Sequence, residues 1–109
     1  GMSMKLMTRG DAGYISLKIK SVVMADVKAI EFTIHNISKM YRSDGSGEVT
    51  YDSDNGVFNF PVTQAESLAF PDTDVGIQAR VMFVDDFKVQ GTDTKQVNIG
   101  EVLSEVIIK

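Results

Sequence analysis

The 109-residue chain contains no cysteine and a single histidine. Without cysteine there is no disulfide framework, zinc–thiolate site, iron–sulfur cluster or thiol nucleophile. With His35 alone, a Ser-His-Asp triad or a multi-histidine metal site has very little to work with. Positive charge is also thin: eleven Lys and Arg stand against fifteen Asp and Glu, for a net charge of −4, and no two basic residues are adjacent. Phosphate contacts need clustered Lys and Arg to displace counterions, so a nucleic-acid partner is not expected. No apolar run approaches the roughly 20 residues of a membrane helix, so no membrane partner is expected either. The N-terminal Met2-Ser3-Met4-Lys5-Leu6-Met7-Thr8 holds no secretory apolar region, which points to cytoplasmic synthesis. Gly1 before Met2 reads as the scar of a removed tag.

What is present is 43% hydrophobic residues in a chain whose length fits one domain, spanning 1–109. Such a domain can bury roughly two-thirds of the surface its unfolded chain exposes. The dominant period is two. In Tyr14–Lys20, Ile15, Leu17 and Ile19 alternate with Ser16, Lys18 and Lys20; in Ala29–Asn36, Ile30, Phe32 and Ile34 alternate with Glu31, Thr33 and His35. This is what a strand with one face on a core requires.

Val49–Asp52 and Val57–Phe60 flank Asn55-Gly56, the preferred filling of a two-residue type I′ turn. That turn pairs Tyr51 with Phe60 and gathers Val49, Tyr51, Phe58, Phe60 and Val62 on one face. Pro61 has no N–H for a ladder, which suits an edge or a strand end. Thr63-Gln64-Ala65-Glu66 matches a capping box and, with Pro71 limiting extension, predicts a short helical turn near 63–69. Val75–Val84 is the longest strand pattern, with Ile77, Ala79, Val81 and Phe83 on one face. Asp85-Asp86 then marks a turn. A three-residue loop there pairs Phe83 with Val89 and is preferred; a two-residue loop sets Phe83 against Lys88. Gly91-Thr92-Asp93 marks a bulge or turn before Val97 and Ile99. Lys39–Gly47 reads as the most flexible connection. The sum is about seven to eight short strands separated by turns, the pattern of an all-β sandwich or barrel.

Few motifs carry chemistry. Arg9-Gly10-Asp11 spells an adhesion tripeptide but fits a turn before the first strand. Asp52-Ser53-Asp54-Asn55-Gly56 evokes a calcium loop, yet glycine falls on the fifth position instead of the sixth and no bidentate glutamate follows. Asp72, Asp74, Asp85 and Asp86 could serve a metal or acid–base chemistry only if their loops converged. His35 falls on the polar side of its strand pattern. No phosphate loop, nucleophile elbow or metalloprotease helix is present, so no enzyme activity, cofactor or metal is expected.

The C-terminal Val102-Leu103-Ser104-Glu105-Val106-Ile107-Ile108 stands apart, with five aliphatic residues in seven. The favoured reading is a final core strand. The functional one is a docking segment, with Val102, Leu103, Val106, Ile107 and Ile108 as interface residues that add a strand or a short amphipathic turn to a neighbour. The six methionines, three of them at Met2, Met4 and Met7, suit an adaptable contact surface.

In order of elements the chain resembles small structural proteins of prophages and tailed phages of Gram-positive bacteria. It is similar in particular to the Ig-like N-terminal domain of baseplate upper proteins. The matching features are Arg9-Gly10-Asp11 before the first strong strand, Ile30-Glu31-Phe32-Thr33-Ile34, Phe60-Pro61-Val62-Thr63-Gln64-Ala65-Glu66 before a helical turn, and the strand ending in Val97-Asn98-Ile99. The resemblance implies an Ig-like β-sandwich without catalytic residues. It also implies a virion component made in the bacterial cytoplasm whose partners are proteins, either copies of itself or other virion parts. The alternative from another class is a small-ligand or carbohydrate-binding β-sandwich, which an exposed aromatic pair such as Tyr14 and Tyr41 would favour.

Overall fold

The computed structural model describes residues 13–20, 22–71, 73–85, 89–92, 94–98 and 105–108. Among these residues nine strands and one α-helix follow in chain order, with a 3-10 turn at Met24–Asp26 before the second strand: β1 Gly13–Ile19, β2 Val27–Ile34, β3 Ile37–Arg42, β4 Thr50–Asp52, β5 Val57–Val62, α1 Gln64–Ala69, β6 Asp74–Phe83, β7 Val89–Gly91, β8 Lys95–Asn98 and β9 Glu105–Ile108. One sheet has the order β4-β5-β1-β9; the other runs β3-β2-β6, with β7 and β8 both paired to β6. Among these strands every pairing is antiparallel except β1 with β9, which is parallel. The architecture is an all-β sandwich, as the period-two patterning predicts.

The alternation becomes the core directly. Ile15, Leu17 and Ile19 of β1 and Phe58, Phe60 and Val62 of β5 pack against Ile30, Phe32 and Ile34 of β2 and Val75, Ile77, Ala79 and Val81 of β6. Phe70, just past α1, is fully buried with them. Each large apolar side chain so buried contributes roughly 1.5–3 kcal/mol relative to exposure. The helical turn forms where expected. Thr63 accepts from the Glu66 N–H and the Glu66 carboxylate accepts from the Thr63 N–H, completing the capping box.

Four details differ from the sequence expectations. The β4–β5 hairpin pairs Tyr51 with Phe58 and Asp52 with Val57, two residues from the register a type I′ turn gives. That turn needs positive φ at both central residues, and Asn55 is not among the described residues that have it; Gly56, at φ 67°, is. The connection is instead a four-residue loop, closed by the Gly56 N–H on the Asp52 carbonyl at 2.8 Å and by Asp52 carboxylate bonds to the Asp54 and Asn55 N–H groups. A shift of two preserves the face of every side chain, so the core assignment survives the change.

Second, Lys39–Gly47 is only partly a loop. Ile37–Arg42 is β3, an edge strand paired residue by residue with β2. Its inward positions are Ile37, Lys39 and Tyr41, opposite Ile34, Phe32 and Ile30. A lysine at the middle of these hides the apolar period. Third, His35 lies in the two-residue turn between β2 and β3, with φ 57°, instead of on the polar face of its strand. Its exposure matches expectation.

Fourth, β7 pairs Met82 with Val89, the register of the two-residue loop and not of the preferred three-residue one. Beyond Gly91 the register slips by one, so that Ile77 faces Lys95 and Val75 faces Val97. Between the two stretches the Thr92 N–H donates to the Ala79 carbonyl at 2.8 Å, and the Ala79 N–H donates to the Thr92 hydroxyl at 2.9 Å. This is the bulge that Gly91-Thr92 signals, and past it β8 continues along β6 in a register shifted by one residue.

Candidate interaction edge

The four sheet edges differ in how their backbone is protected. An unprotected edge presents a row of N–H and C=O groups to any passing strand. At β3 and β4 the two sheets are joined. The Val49 N–H donates to the Met40 carbonyl at 2.9 Å, and Val49 forms a parallel bridge with Tyr41. Gly47 makes this possible: a Cβ there would collide with the Met40 carbonyl oxygen and lie 2.9 Å from the Arg42 nitrogen. Over the junction Phe58 packs against Tyr51, Phe32 and Tyr41, with ring centroids 4.8, 5.1 and 5.2 Å away, and Tyr41 meets Tyr51 edge-on at 6.4 Å. The preceding loop is pinned by the Ser43 N–H on the Lys28 carbonyl. Within it the Asp44 carboxylate accepts from the Ser46 hydroxyl and N–H. The Ser46 hydroxyl and then its N–H hold Asp44 below the usual carboxylate range, and the Asn55 side chain does the same for Asp52.

Lys39 fastens the same side further along. Its side chain is buried, with Nζ 2.7 Å from the Pro61 carbonyl, 2.8 Å from Glu66 Oε1 and 5.4 Å from the centre of the Phe60 ring. One lysine thus ties β3 of one sheet to β5 of the other and to α1. Burial raises the Glu66 pKa; the Lys39 hydrogen bond and the Thr63 N–H together outweigh it and leave the carboxyl below its usual value. Sequence reasoning missed this pair, because Lys39 stood in an apparent loop and Glu66 already had a role as the capping residue.

The β7–β8 edge is broken by the bulge at Thr92, a common way to blunt a sheet border. Among the described residues the edge made by β9 has no such device. Glu105, Val106, Ile107 and Ile108 register with Ser16, Leu17, Lys18 and Ile19 of β1, and among the described residues no strand pairs with the other side of β9. Three of the five aliphatic residues singled out in the sequence, Val106, Ile107 and Ile108, therefore lie in an edge strand. Val102 and Leu103 lie outside the described residues, as do Met2, Met4, Met7, Arg9, Gly10 and Asp11.

The other candidates separate. Asp74 opens the ten-residue β6 and Asp85 follows its end, which puts them roughly 30 Å apart; Asp72 and Asp86 lie outside the described residues. Among the described residues no three His, Asp or Glu side chains group as a metal site. Tyr14 is 64% exposed on β1. Tyr41 stands in the other sheet, engaged with Tyr51 and Phe58, so these two rings form no side-by-side pair. No described helix is long and apolar enough to cross a membrane. Comparisons with protein-family models, curated proteins and solved structures each return no match.

Proposed function

We propose that this chain is a non-enzymatic structural protein of a prophage or tailed-phage virion, of tail or baseplate type, acting through protein–protein assembly. The observation that carries the reading is β9, an aliphatic run laid down as an edge strand with its outer side open among the described residues. Strand addition to such an edge gives affinity through main-chain hydrogen bonds and needs no pocket. The features behind the phage resemblance fall on ordered elements: Ile30–Ile34 within β2, Phe60–Glu66 running from β5 into the helix cap, and Val97 and Asn98 within β8. Arg9-Gly10-Asp11 and Ile99 lie outside the described residues. An Ig-like character of the sandwich, synthesis in the bacterial cytoplasm and a place in the virion belong to the same proposal.

Inducing the resident prophage in a strain that encodes the chain, then analysing purified particles by mass spectrometry, tests the reading. The chain is expected in the particles at a stoichiometry comparable with other structural subunits. Particles that lack it, released from a lysate that contains it, overturn the proposal.

A further inference from the structure

We propose that Asn55 is a modification site: its amide is lost by spontaneous deamidation, Asp52 restrains the rate, and the product carboxylate loosens the β4–β5 loop. The inference is independent of the virion reading and needs no partner. In this reaction the backbone nitrogen of the next residue attacks the asparagine side-chain carbonyl carbon. A side chain on that next residue crowds the attack, and glycine has none. Asn36, Asn59 and Asn98 precede Ile37, Phe60 and Ile99, whereas Asn55 precedes Gly56. The loop itself demands that glycine, because position 56 holds φ 67°. Asn55 is exposed, so water reaches its amide.

Asp52 holds both reacting groups. The Gly56 N–H donates to the Asp52 carbonyl at 2.8 Å, and Asn55 Nδ2 donates to the Asp52 carboxylate at 2.7 Å. To react, the Gly56 nitrogen must give up the proton that the Asp52 carbonyl holds. The Asn55 amide must turn toward that nitrogen, which its bond to the carboxylate opposes, so the loop reacts from a locally opened form. A solvent base takes the Gly56 proton, the nitrogen bonds to Asn55 Cγ, and the Cγ–Nδ2 bond breaks. The amide leaves as ammonia with a proton from water. A second water opens the cyclic imide at either carbonyl, which leaves aspartate or an isoaspartate linked through its side chain. Where Asn55 donated to Asp52, the product sets one carboxylate against another, and like charges this close repel. The Asn55 side chain is also the main cause that holds Asp52 below the usual carboxylate range.

Folded protein held at mildly alkaline pH and followed by peptide mass spectrometry should convert at Asn55 and stay intact at Asn36, Asn59 and Asn98. D52A should convert Asn55 about fivefold faster or more, the factor that one charge-assisted hydrogen bond supports. D52N, which keeps an acceptor but no charge, should fall between D52A and wild type. Circular dichroism should show all three folded. In urea the three chains should convert at one rate, because the loop is gone in each. N55D reads the product: its urea midpoint should lie below that of N55A, since alanine loses only the hydrogen bond and aspartate adds a like charge. Any of four results overturns the inference: conversion at Asn55 no faster than at the other asparagines, folded D52A and D52N no faster than wild type, a gain that persists in urea, or an N55D midpoint at or above that of N55A.

Discussion

The two ends of the β4-β5-β1-β9 sheet carry opposite solutions to one problem. Next to β4, at Val49, the edge is tied to β3 by a backbone bond across the sandwich, a glycine that lets the chains approach, an aromatic cluster and, along the same side, a buried lysine. At β9 none of these is found among the described residues, and the strand presents an aliphatic sequence instead. Edge protection is an investment in stability and solubility. Where it is concentrated, substitutions should cost the fold; where it is missing, they should cost association.

The largest effect belongs to Phe58, the ring at the centre of the sealed side. Phe58→Ala removes a side chain 2% exposed that touches three other rings. Urea denaturation should show a loss of about 3–5 kcal/mol. Gly47→Ala comes next. The added methyl meets backbone instead of a flexible side chain, so β3 and the approach to β4 must separate, at about 1–3 kcal/mol in the same assay.

Lys39→Met should cost about 1–2 kcal/mol near neutral pH, the worth of charge-assisted hydrogen bonds to groups that keep some other partners. Its signature is in acid. Glu66 sits below its unfolded value of 4.5 in the folded chain, so the stability it supplies is present above that pH and is lost as pH falls through the lower folded value. Removing Lys39 takes away part of the cause. Stability measured from pH 7 to about pH 3 should therefore fall less steeply in the variant than in the wild type. Smallest of all for the fold is Ile107→Glu, which sets a carboxylate at the β9 position beside Lys18. Its free energy of unfolding should stay within about 0.5 kcal/mol of wild type, while association through the β9 edge, followed by light scattering, should be lost.

Much of the fold was legible in the sequence because its core positions alternate cleanly. Ile15, Leu17, Ile19, Ile30, Phe32, Ile34, Ile77, Ala79 and Val81 all face inward as period two demands. What stayed hidden has causes both distant and local. Lys39 is inward because the Pro61 carbonyl and Glu66 are waiting 22 and 27 residues along the chain, and neither is visible in the pattern of Ile37–Arg42. Asn55-Gly56 suggests a tight turn, yet the Asp52 carboxylate gathers the N–H groups of Asp54 and Asn55 and favours a longer loop. In β7 the register could not be read from its loop because the bulge at Thr92, held by Ala79, separates it from that of β8. At the candidate edge, the aliphatic run pointed to Val106, Ile107 and Ile108. That it pairs parallel with β1 was not readable, since a four-residue strand carries no signal of its neighbour's direction.

The most direct test of the contrast between the two edges is amide hydrogen exchange measured at low and high protein concentration. The outward-pointing N–H groups of Glu105–Ile108 should exchange markedly more slowly at high concentration, while those of Thr50–Asp52 keep one rate at both. Exchange across Glu105–Ile108 that does not change with concentration would contradict the account.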